Sequence, residues 1–432
     1  MTTPMSATVP APKAWKPYLA LFSLYLLNTL LVLDKIVFTI LVEPVKAEFG
    51  LDDFQVGLLT GSVYAVCLGV ASLPLGMLVD RSSRRNIAAG CLAFWSAMTA
   101  LCGMAQSYTT LLAARLGVGI GEAGGGPASL SMIADLFDHR RRATAMAIFA
   151  LGTPTAGLLN LTINTNLAHT YGWRFALFAA SVPGLVLAIT MRLFIAEPER
   201  ATGTGGVPPK AASFSQTFHF IRTQRSLVHF LIGGAVAYIV LAGVSSWSFS
   251  FLIRVHHVKL HEVGPILGVA IAISGLFGLF LSGRLADVLS RRDERWRTWV
   301  MTITTLMSVC FGTATFSVGS WQAAVIGMAG FATTATLWLA PGYALSQSLV
   351  PARMRGMIGA IVFMLANVLG YGLGPALVGL LSDLLAPVYG TLAIRTALIG
   401  TVSLNLWAAF HFMLGARTLR ADLDVAGLEQ QQ

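Results

Sequence analysis

Twelve stretches of the sequence are long and apolar enough to cross a lipid bilayer, and this pattern constrains the fold more than any other feature. A spanning helix needs about 20 apolar residues, and charged residues separate these stretches from one another. The predicted spans lie near residues 18–42, 55–79, 86–106, 109–136, 143–168, 172–195, 227–253, 262–287, 298–318, 321–350, 356–383 and 390–415. The connecting segments are short, so no room is left for a sizeable soluble domain.

The composition agrees with a chain that lies mostly in lipid. Of the 432 residues, 55% are apolar and 11% are charged, against roughly 25% charged in a soluble domain. The mean hydropathy is +0.72. Glycine is common in membrane helices because it lets two backbones approach closely, and this chain has 43 glycines. The composition therefore excludes a soluble protein.

The positive charge lies mostly on one side of the membrane. The formal net charge is +10, and the predicted loops place 20 Lys and Arg on one side, 5 on the other and 4 within or at the ends of spans. Because cytoplasmic loops carry an excess of Lys and Arg, we expect a multi-pass protein of the cell inner membrane with both termini in the cytoplasm. The same charge in a soluble protein would suggest nucleic-acid binding, which we do not expect here.

The two halves of the chain are related in sequence. Gly76-Met-Leu-Val-Asp80-Arg-Ser-Ser-Arg84-Arg85 ends the second span, and Gly283-Arg-Leu-Ala-Asp287-Val-Leu-Ser-Arg291-Arg292 ends the eighth, each position offset by 207. Such a repeat indicates a duplicated six-span unit. We therefore predict a first bundle over residues 1–195, a cytoplasmic linker over 196–226 and a second bundle over 227–432.

The G-x-x-x-D-R-x-x-R-R pattern resembles the loop motif of the major facilitator superfamily. The resemblance implies an all-α membrane protein, with 12 transmembrane helices in two pseudo-symmetric six-helix bundles that rock about a central cavity. Aspartates at helix ends can pair with arginines, so we expect conformational gating by Gly76, Asp80, Arg81, Arg84, Arg85, Asp135, Gly283, Asp287 and Arg291. The alternative is that the arginines only set the topology.

Shorter stretches resemble the spinster-like branch, the lysolipid and sphingolipid-type carriers. They are Leu27-Asn28 with Asp34-Lys35, residues 93–96 (Ala-Phe-Trp-Ser), residues 115–123 (Arg-Leu-Gly-Val-Gly-Ile-Gly-Glu-Ala), residues 133–137, and in the second half residues 350–351, 369–375 and 379–383. This branch usually has Arg after the aspartate of the first helix, where this chain has Lys35. The resemblance implies a lipid-like substrate and a monomer.

Four charged residues fall clearly inside predicted spans: Asp34, Lys35, Arg115 and Glu122. Because a charge at the centre of a spanning helix costs at least ~2.5 kcal/mol, each is a functional candidate. We expect Glu122, and secondarily Asp34, to take up a proton. The planar fork of Arg115 suits a phosphate or carboxylate, so we expect Arg115 to bind an anionic group, with Lys35 and Glu122 beside it. The alternative is a structural salt bridge between the first and fourth spans.

The second half offers aromatic and amide side chains instead of charges. The expected substrate contacts there are Trp338, Tyr343, Asn367 and Tyr371. A polar half facing an apolar half suits a charged head with an apolar tail. We therefore predict a proton-coupled secondary transporter for an anionic amphiphile, such as a lysophospholipid or sphingoid phosphate. The alternative is a permease or exporter for a small organic anion, such as a sugar acid or aromatic acid, or for a drug.

The sequence does not favour an enzyme or a metalloprotein. The four cysteines lie inside spans without a metal-ligand spacing, and the eight histidines form no nucleophile–base pattern. No GxxxxGK[ST] phosphate-binding loop is present, so ATP-driven pumping is unsupported. We expect no cofactor and no metal, and we expect protons, membrane lipids and the transported anion as the only partners.

Overall fold

The computed structural model describes residues 15–198 and 214–430, and all regular elements in these ranges are helices. In the first half, the helices are α1 (Lys16–Ile40), α2 (Val42–Phe49), α3 (Asp53–Gly57), α4 (Val63–Arg81), α5 (Arg84–Met104), α6 (Tyr108–Leu136), α7 (His139–Ala150), α8 (Gly152–Leu159), α9 (Thr165–Tyr171) and α10 (Trp173–Phe194). In the second half, they are α11 (Phe214–Thr223), α12 (Arg225–His256), α13 (Leu260–Ser290), α14 (Trp296–Ser317), α15 (Trp321–Thr336), α16 (Leu339–Ser348), α17 (Arg355–Met364), α18 (Gly372–Tyr389) and α19 (Ala393–Gln430).

These helices form twelve spans within the described residues, as the sequence predicts. Ten stretches are long and apolar enough to cross a membrane, and the last of them, Ala352–Ala426, contains both the eleventh and the twelfth span. Helix α6 adds the fourth span, which carries Arg115 and Glu122. The spans are α1, α3–α4, α5, α6, α7–α9 and α10 in the first half. In the second half they are α12, α13, α14, α15–α16, α17–α18 and α19.

Three spans contain a π-helical turn that separates two α-helical parts. These turns are Leu58–Ser62 in the second span, Asn160–Asn164 in the fifth and Leu365–Tyr371 in the eleventh. A π-helical turn inside an α-helix inserts an extra residue and often occurs at functional sites. Hydropathy does not predict these turns, because the apolar pattern continues through them.

Side-chain caps explain where several helices begin. Ser83 accepts a hydrogen bond from the backbone of Asn86 at the start of α5, and Asp138 accepts one from Arg141 at the start of α7. Ser107 and Thr110 form a reciprocal capping box before α6. Such side chains satisfy backbone N–H groups that have no partner within the helix. These short polar turns therefore end one span and begin the next.

We name the two faces of the bundle by their loops. The basic side carries the loops after the second, fourth and eighth spans, at residues 82–83, 137–138 and 291–295. The opposite side carries the loops at residues 50–52, 105–107, 257–259 and 318–320. Successive spans run in alternating directions between these two faces.

The two halves approach each other most closely in the part of the bundle near the opposite side. A Cβ added at Gly57 would lie 2.6 Å from the backbone of Ala376, and one at Gly264 would lie 2.1 Å from the carbonyl oxygen of Leu161. Neither position can hold a side chain in this arrangement. These glycines therefore allow the second span to pack on the eleventh, and the fifth on the eighth.

Helix α19 extends well beyond the bilayer on the basic side. Its 38 residues span about 57 Å at 1.5 Å per residue, against roughly 30 Å of hydrocarbon. Asp422, near its end, accepts hydrogen bonds from the backbone and hydroxyl of Ser226 in the first turn of α12. The polar end of the chain thus stays helical because it packs on the second half, which hydropathy does not predict.

Candidate functional site

The site is built around the four charged residues that the sequence singles out. Asp34, Arg115 and Glu122 are buried, each with 4% or less of its surface exposed. Within the described part of the chain, no ion pair within 4.0 Å joins any two of Asp34, Lys35, Arg115 and Glu122. The structural salt bridge that the sequence left open is therefore not formed in this conformation.

Asp34 lies on α1 and faces the third span. The Thr99 hydroxyl donates a hydrogen bond of 2.5 Å to Asp34 Oδ2. The second carboxylate oxygen, Oδ1, is buried and has no hydrogen-bond partner. A buried polar atom without a partner is costly. A proton or a ligand that binds this oxygen would remove that cost, and the oxygen is available for either.

Arg115 lies on α6 between two aromatic rings. Its guanidinium carbon is 4.7 Å from the centre of the Phe38 ring and 5.4 Å from that of Tyr64. Arg115 Nε donates to the carbonyl oxygen of Leu59 at 3.3 Å, whereas Nη2 is buried without a partner. The rings hold the cation by cation–π attraction and leave one edge of its fork unoccupied. That edge can bind an anion.

Glu122 lies two turns further along α6 and interacts with Tyr64 on α4. The Tyr64 hydroxyl donates to Glu122 Oε2, while Oε1 is buried without a partner. Tyr64 is thus a shared neighbour of Arg115 and Glu122, consistent with their seven-residue spacing on one helix. The sequence analysis missed Tyr64. The only signal was a phenolic hydroxyl inside an apolar span.

Lys35 points from the first half toward the second half. Its Nζ lies 3.5 Å from the centre of the Tyr371 ring and 5.5 Å from that of Tyr64. Tyr371 ends the π-helical turn of the eleventh span. The ammonium group and the Tyr371 ring therefore form a cation–π contact that connects the two halves at the level of the buried charges.

The other residues expected in the second half have different surroundings. Trp338 is buried and packs edge-on against Tyr238, with ring centres 4.9 Å apart. Asn367 donates to the carbonyl oxygen of Phe363 in its own helix at 2.9 Å. Tyr343 is exposed over 56% of its surface. Tyr371, by contrast, directly contacts a charged residue of the first half, Lys35.

A second polar cluster, which the sequence analysis missed, joins the halves near the opposite side. Arg254 on α12 forms ion pairs with Asp53 on α3 and with Glu43 on α2. Lys46 and the Ser382 hydroxyl also contact Asp53, and Asp383 accepts hydrogen bonds from the backbone of residues 53 and 54. These residues lie at span ends, where charges are common, so their positions in the sequence do not single them out.

On the basic side, Arg84 of the G-x-x-x-D-R-x-x-R-R motif forms ion pairs with Asp135 at the end of α6 and with Glu197 after α10. Hydrogen bonds from Ser83, Arg84 and Arg85 also reach Glu197. Burial opposes ionisation of Glu197, but these hydrogen bonds outweigh it and hold the pKa of Glu197 below its ordinary value. The network connects the third, fourth and sixth spans of the first half.

The remaining motif residues differ in their surroundings. A Cβ at Gly76 would meet no atom within 4 Å, whereas Asp80 has an interaction partner. Arg81 and Arg291 are exposed. The surroundings of Gly283 and the side chain of Asp287 lie outside the part that the structure describes. No group of three or more metal-ligating side chains occurs among the described residues.

Two related bundles of six spans, with charged side chains buried beside their contact, define a membrane transporter rather than an enzyme. The sequence model of the Major Facilitator Superfamily matches residues 19–375, so the chain belongs to this superfamily. Within it, the chain is spinster-like, which confirms the resemblance seen in the sequence.

Two relatives and one solved structure show this relationship. An MFS-type efflux pump of Mycolicibacterium smegmatis is 31% identical over 414 residues, covering 95% of this chain and 94% of the pump. The sphingosine-1-phosphate transporter SPNS2 of Danio rerio is 25% identical over 385 residues, covering 84% of this chain and 76% of that protein. A bacterial homologue of the human lysosomal transporter spinster, in an inward-facing and unoccupied conformation, superposes with a TM-score of 0.85 at 26% identity. That match covers 95% of this chain and 99% of the homologue.

Proposed function

We propose that this protein is a proton-coupled secondary transporter that moves an anionic amphiphile across the membrane by alternating access. The observation that carries this proposal is the buried Arg115 guanidinium, which has an unpartnered Nη2 and no carboxylate within 4.0 Å among the described residues. A buried cation without a counter-ion is costly. A substrate anion would lower that cost, and the fork geometry favours phosphate or carboxylate.

Lys35 supplies a second positive charge for the same anion. Its ammonium group contacts the Tyr371 ring of the second half, so an anion that draws Lys35 toward Arg115 weakens a contact between the halves. Substrate binding in the present conformation would thereby favour the alternative conformation. A ligand shifts a conformational equilibrium only when it interacts differently with the two conformations. Trp338, Tyr343, Asn367 and Tyr371 are proposed to line the path of the apolar tail.

Glu122 and Asp34 are proposed as the proton-coupling residues. Each carboxylate has one hydrogen-bonded oxygen and one buried oxygen without a partner. The unpartnered oxygen can accept a proton or, if Arg115 moves, pair with the Arg115 guanidinium, and each of these states excludes the other. Competition between a proton and a cation for the same carboxylate is a simple way to couple two transport steps.

The gating residues are proposed to act on the basic side, which the positive-inside rule assigns to the cytoplasm. The bundles of residues 1–195 and 227–432 would rock as units, with residues 196–226 as the linker between them. Gly76, Asp80, Arg81, Arg84, Arg85 and Asp135 belong to the first bundle, and Gly283, Asp287 and Arg291 to the second. Since the halves touch near the opposite side, this conformation would open toward the cytoplasm of an inner-membrane protein.

The test is substrate-dependent stabilisation and uptake with the purified protein. Unfolding temperatures are measured with a lysophospholipid, a sphingoid phosphate, a sugar acid and an aromatic acid, followed by uptake into proteoliposomes with and without a pH gradient. Arg115→Ala should abolish stabilisation by the amphiphiles, Arg115→Lys should retain part of it, and Lys259→Ala, an exposed control, should behave as wild type. Glu122→Gln should retain binding and lose the dependence of uptake on the pH gradient.

The results separate an amphiphile carrier from a small-anion permease. Stabilisation by small acids and not by amphiphiles would overturn the lipid assignment in favour of a small-anion permease. Drug export is a third candidate, because a relative that matches nearly the whole chain is an efflux pump. Uptake that is unchanged in Glu122→Gln and in Asp34→Asn under a pH gradient would contradict proton coupling.

A further inference from the structure

The lipid-facing surface of the first half has a polar end where two arginines meet. Arg192 Nη1 donates to Asn86 Oδ1 at 2.6 Å, and Arg85 donates to the same oxygen from Nε at 3.1 Å and Nη2 at 3.0 Å. One neutral amide oxygen therefore holds two guanidinium groups together. Among the described residues, neither guanidinium has a carboxylate within 4.0 Å.

Glu197 accepts a hydrogen bond from the backbone of Arg85, but its carboxylate oxygens have other donors as well. Its oxygens accept from Arg84 Nε, from the Ser83 hydroxyl and from the backbone of Arg84 and Arg85. Arg84 also pairs with Asp135, so the charges of Glu197 and Asp135 are directed at Arg84. Two like charges brought together without a counter-ion repel each other. The pair of Arg85 and Arg192 thus favours an added anion.

Two apolar grooves begin at this cationic end and share Asn86 and Gly90. One groove, of about 340 Å³, runs between α5 and α10 along Ala89, Ala93, Ile189 and Leu193. The other, of about 350 Å³, runs between α4 and α5 along Leu75, Leu78, Ile87 and Cys91. The walls on α10 face outward, with Ile189 exposed over 60% and Leu193 over 68% of their surfaces. In a membrane such surfaces contact acyl chains.

From this arrangement we propose that the groove on α5 binds an anionic phospholipid of the bilayer. Arg85, Arg192 and Asn86 would bind the phosphate, and the two grooves would hold acyl chains on either side of Gly90. The cations lie at the basic-side end of the spans, at the depth where headgroups lie, and the apolar grooves continue toward the bilayer centre. Charge and shape therefore both match one molecule with a phosphate and two tails. This site is separate from the buried charges around Tyr64.

The test is lipid binding to the purified full-length protein, measured by native mass spectrometry and by unfolding temperature. The probes are dioleoylphosphatidylglycerol, dioleoylphosphatidylcholine and glycerol phosphate. Wild type should bind phosphatidylglycerol and be stabilised by it, with a much smaller effect of phosphatidylcholine. Arg192→Ala should weaken phosphatidylglycerol binding about tenfold, which corresponds to loss of one charge-assisted hydrogen bond.

A second variant tests the grooves without removing a charge. Gly90→Leu should fold, because a Cβ at Gly90 meets no atom within 4 Å and leucine favours a helix more than glycine does. The leucine side chain would project into the space beside Gly90, which lines both grooves, and weaken phosphatidylglycerol binding by a similar factor. Lys259→Ala and Arg115→Ala should bind phosphatidylglycerol as wild type does, since neither residue lines this groove.

Several results would overturn the proposal. Equal binding of phosphatidylcholine, whose phosphate is balanced by choline, would show that the site does not select an anionic lipid. Saturation by glycerol phosphate alone would show a free-anion site. Unchanged binding in both Arg192→Ala and Gly90→Leu would place the lipid elsewhere. Loss of binding in Arg115→Ala would assign the bound lipid to the transport site instead.

Discussion

Arg254 and Asp53, which are 201 positions apart, form a two-point ion pair that joins the two halves near the opposite side. Arg254 Nη1 lies 2.7 Å from Asp53 Oδ2, and Nη2 lies 2.9 Å from Oδ1. The paired planar groups align two parallel hydrogen bonds, the strongest geometry for such a contact. The Asp53 side chain is only 4% exposed, so water screens this pair weakly.

Arg254→Ala should weaken contact between the halves on the opposite side. Removal of one partner of a buried ion pair costs about 3 kcal/mol, and contacts from Lys46 and Ser382 to Asp53 remain. The variant should therefore sample an arrangement that is open on this side. Spin labels at Gln106 and Lys259, one in each half, should show a longer distance distribution in a cysteine-free background. Arg297→Ala, which breaks an ion pair within the second half, serves as the control and should leave the distance unchanged.

Gly264→Ala should disfavour the same closed arrangement for a steric reason. The added methyl group would lie 2.1 Å from the Leu161 carbonyl oxygen, whereas a Cβ at Gly275 on the same helix meets no atom within 4 Å. Because the clash is with backbone, the fifth and eighth spans must separate. We expect Gly264→Ala to lower the unfolding temperature and lengthen the label distance, and Gly275→Ala to do neither. Equal behaviour of the two variants would contradict the close packing.

Tyr64→Phe should impair proton coupling more than substrate binding, if the proposed function holds. The variant removes the hydroxyl that donates to Glu122 and keeps the ring that faces Arg115. Hydrogen bonds to charged groups contribute about 1.5–3 kcal/mol, so uptake driven by a pH gradient should fall roughly tenfold or more. Tyr25→Phe, which loses a neutral hydrogen bond to Thr155, is the matched control. A fall in substrate binding alone would assign Tyr64 to the anion site instead.

Acid should remove the stabilising contribution of Glu197. The pKa of Glu197 in the folded protein lies below its ordinary value of 4.5, so the ionised form stabilises the folded state. This contribution is complete above about pH 4.5 and is lost as the pH falls through the lower folded value. The unfolding temperatures of wild type and Glu197→Gln should therefore differ at pH 7 and converge as the pH falls below the ordinary value of 4.5. Glu262→Gln, at an exposed carboxylate, should show no such convergence.

The sequence by itself determined the number of spans, the two related halves and the buried charges. These features depend on local composition, because a spanning segment must be apolar along its length and any charge within it stands out. The predicted span near residues 86–106 corresponds to helix Arg84–Met104, and the one near 298–318 to Trp296–Ser317. Asp34, Lys35, Arg115 and Glu122 could be named for the same reason.

Only the tertiary structure decided which side chains meet. Tyr64 is shared by Arg115, Lys35 and Glu122 because α1, α4 and α6 pack side by side, and no spacing along the chain encodes that contact. The pairing of Arg254 with Asp53, the placement of Arg192 beside Asn86 and the helical end of α19 likewise depend on packing between distant segments. Hydropathy reports how each segment partitions between water and lipid, whereas these contacts depend on the rotation and depth of each helix against its neighbours.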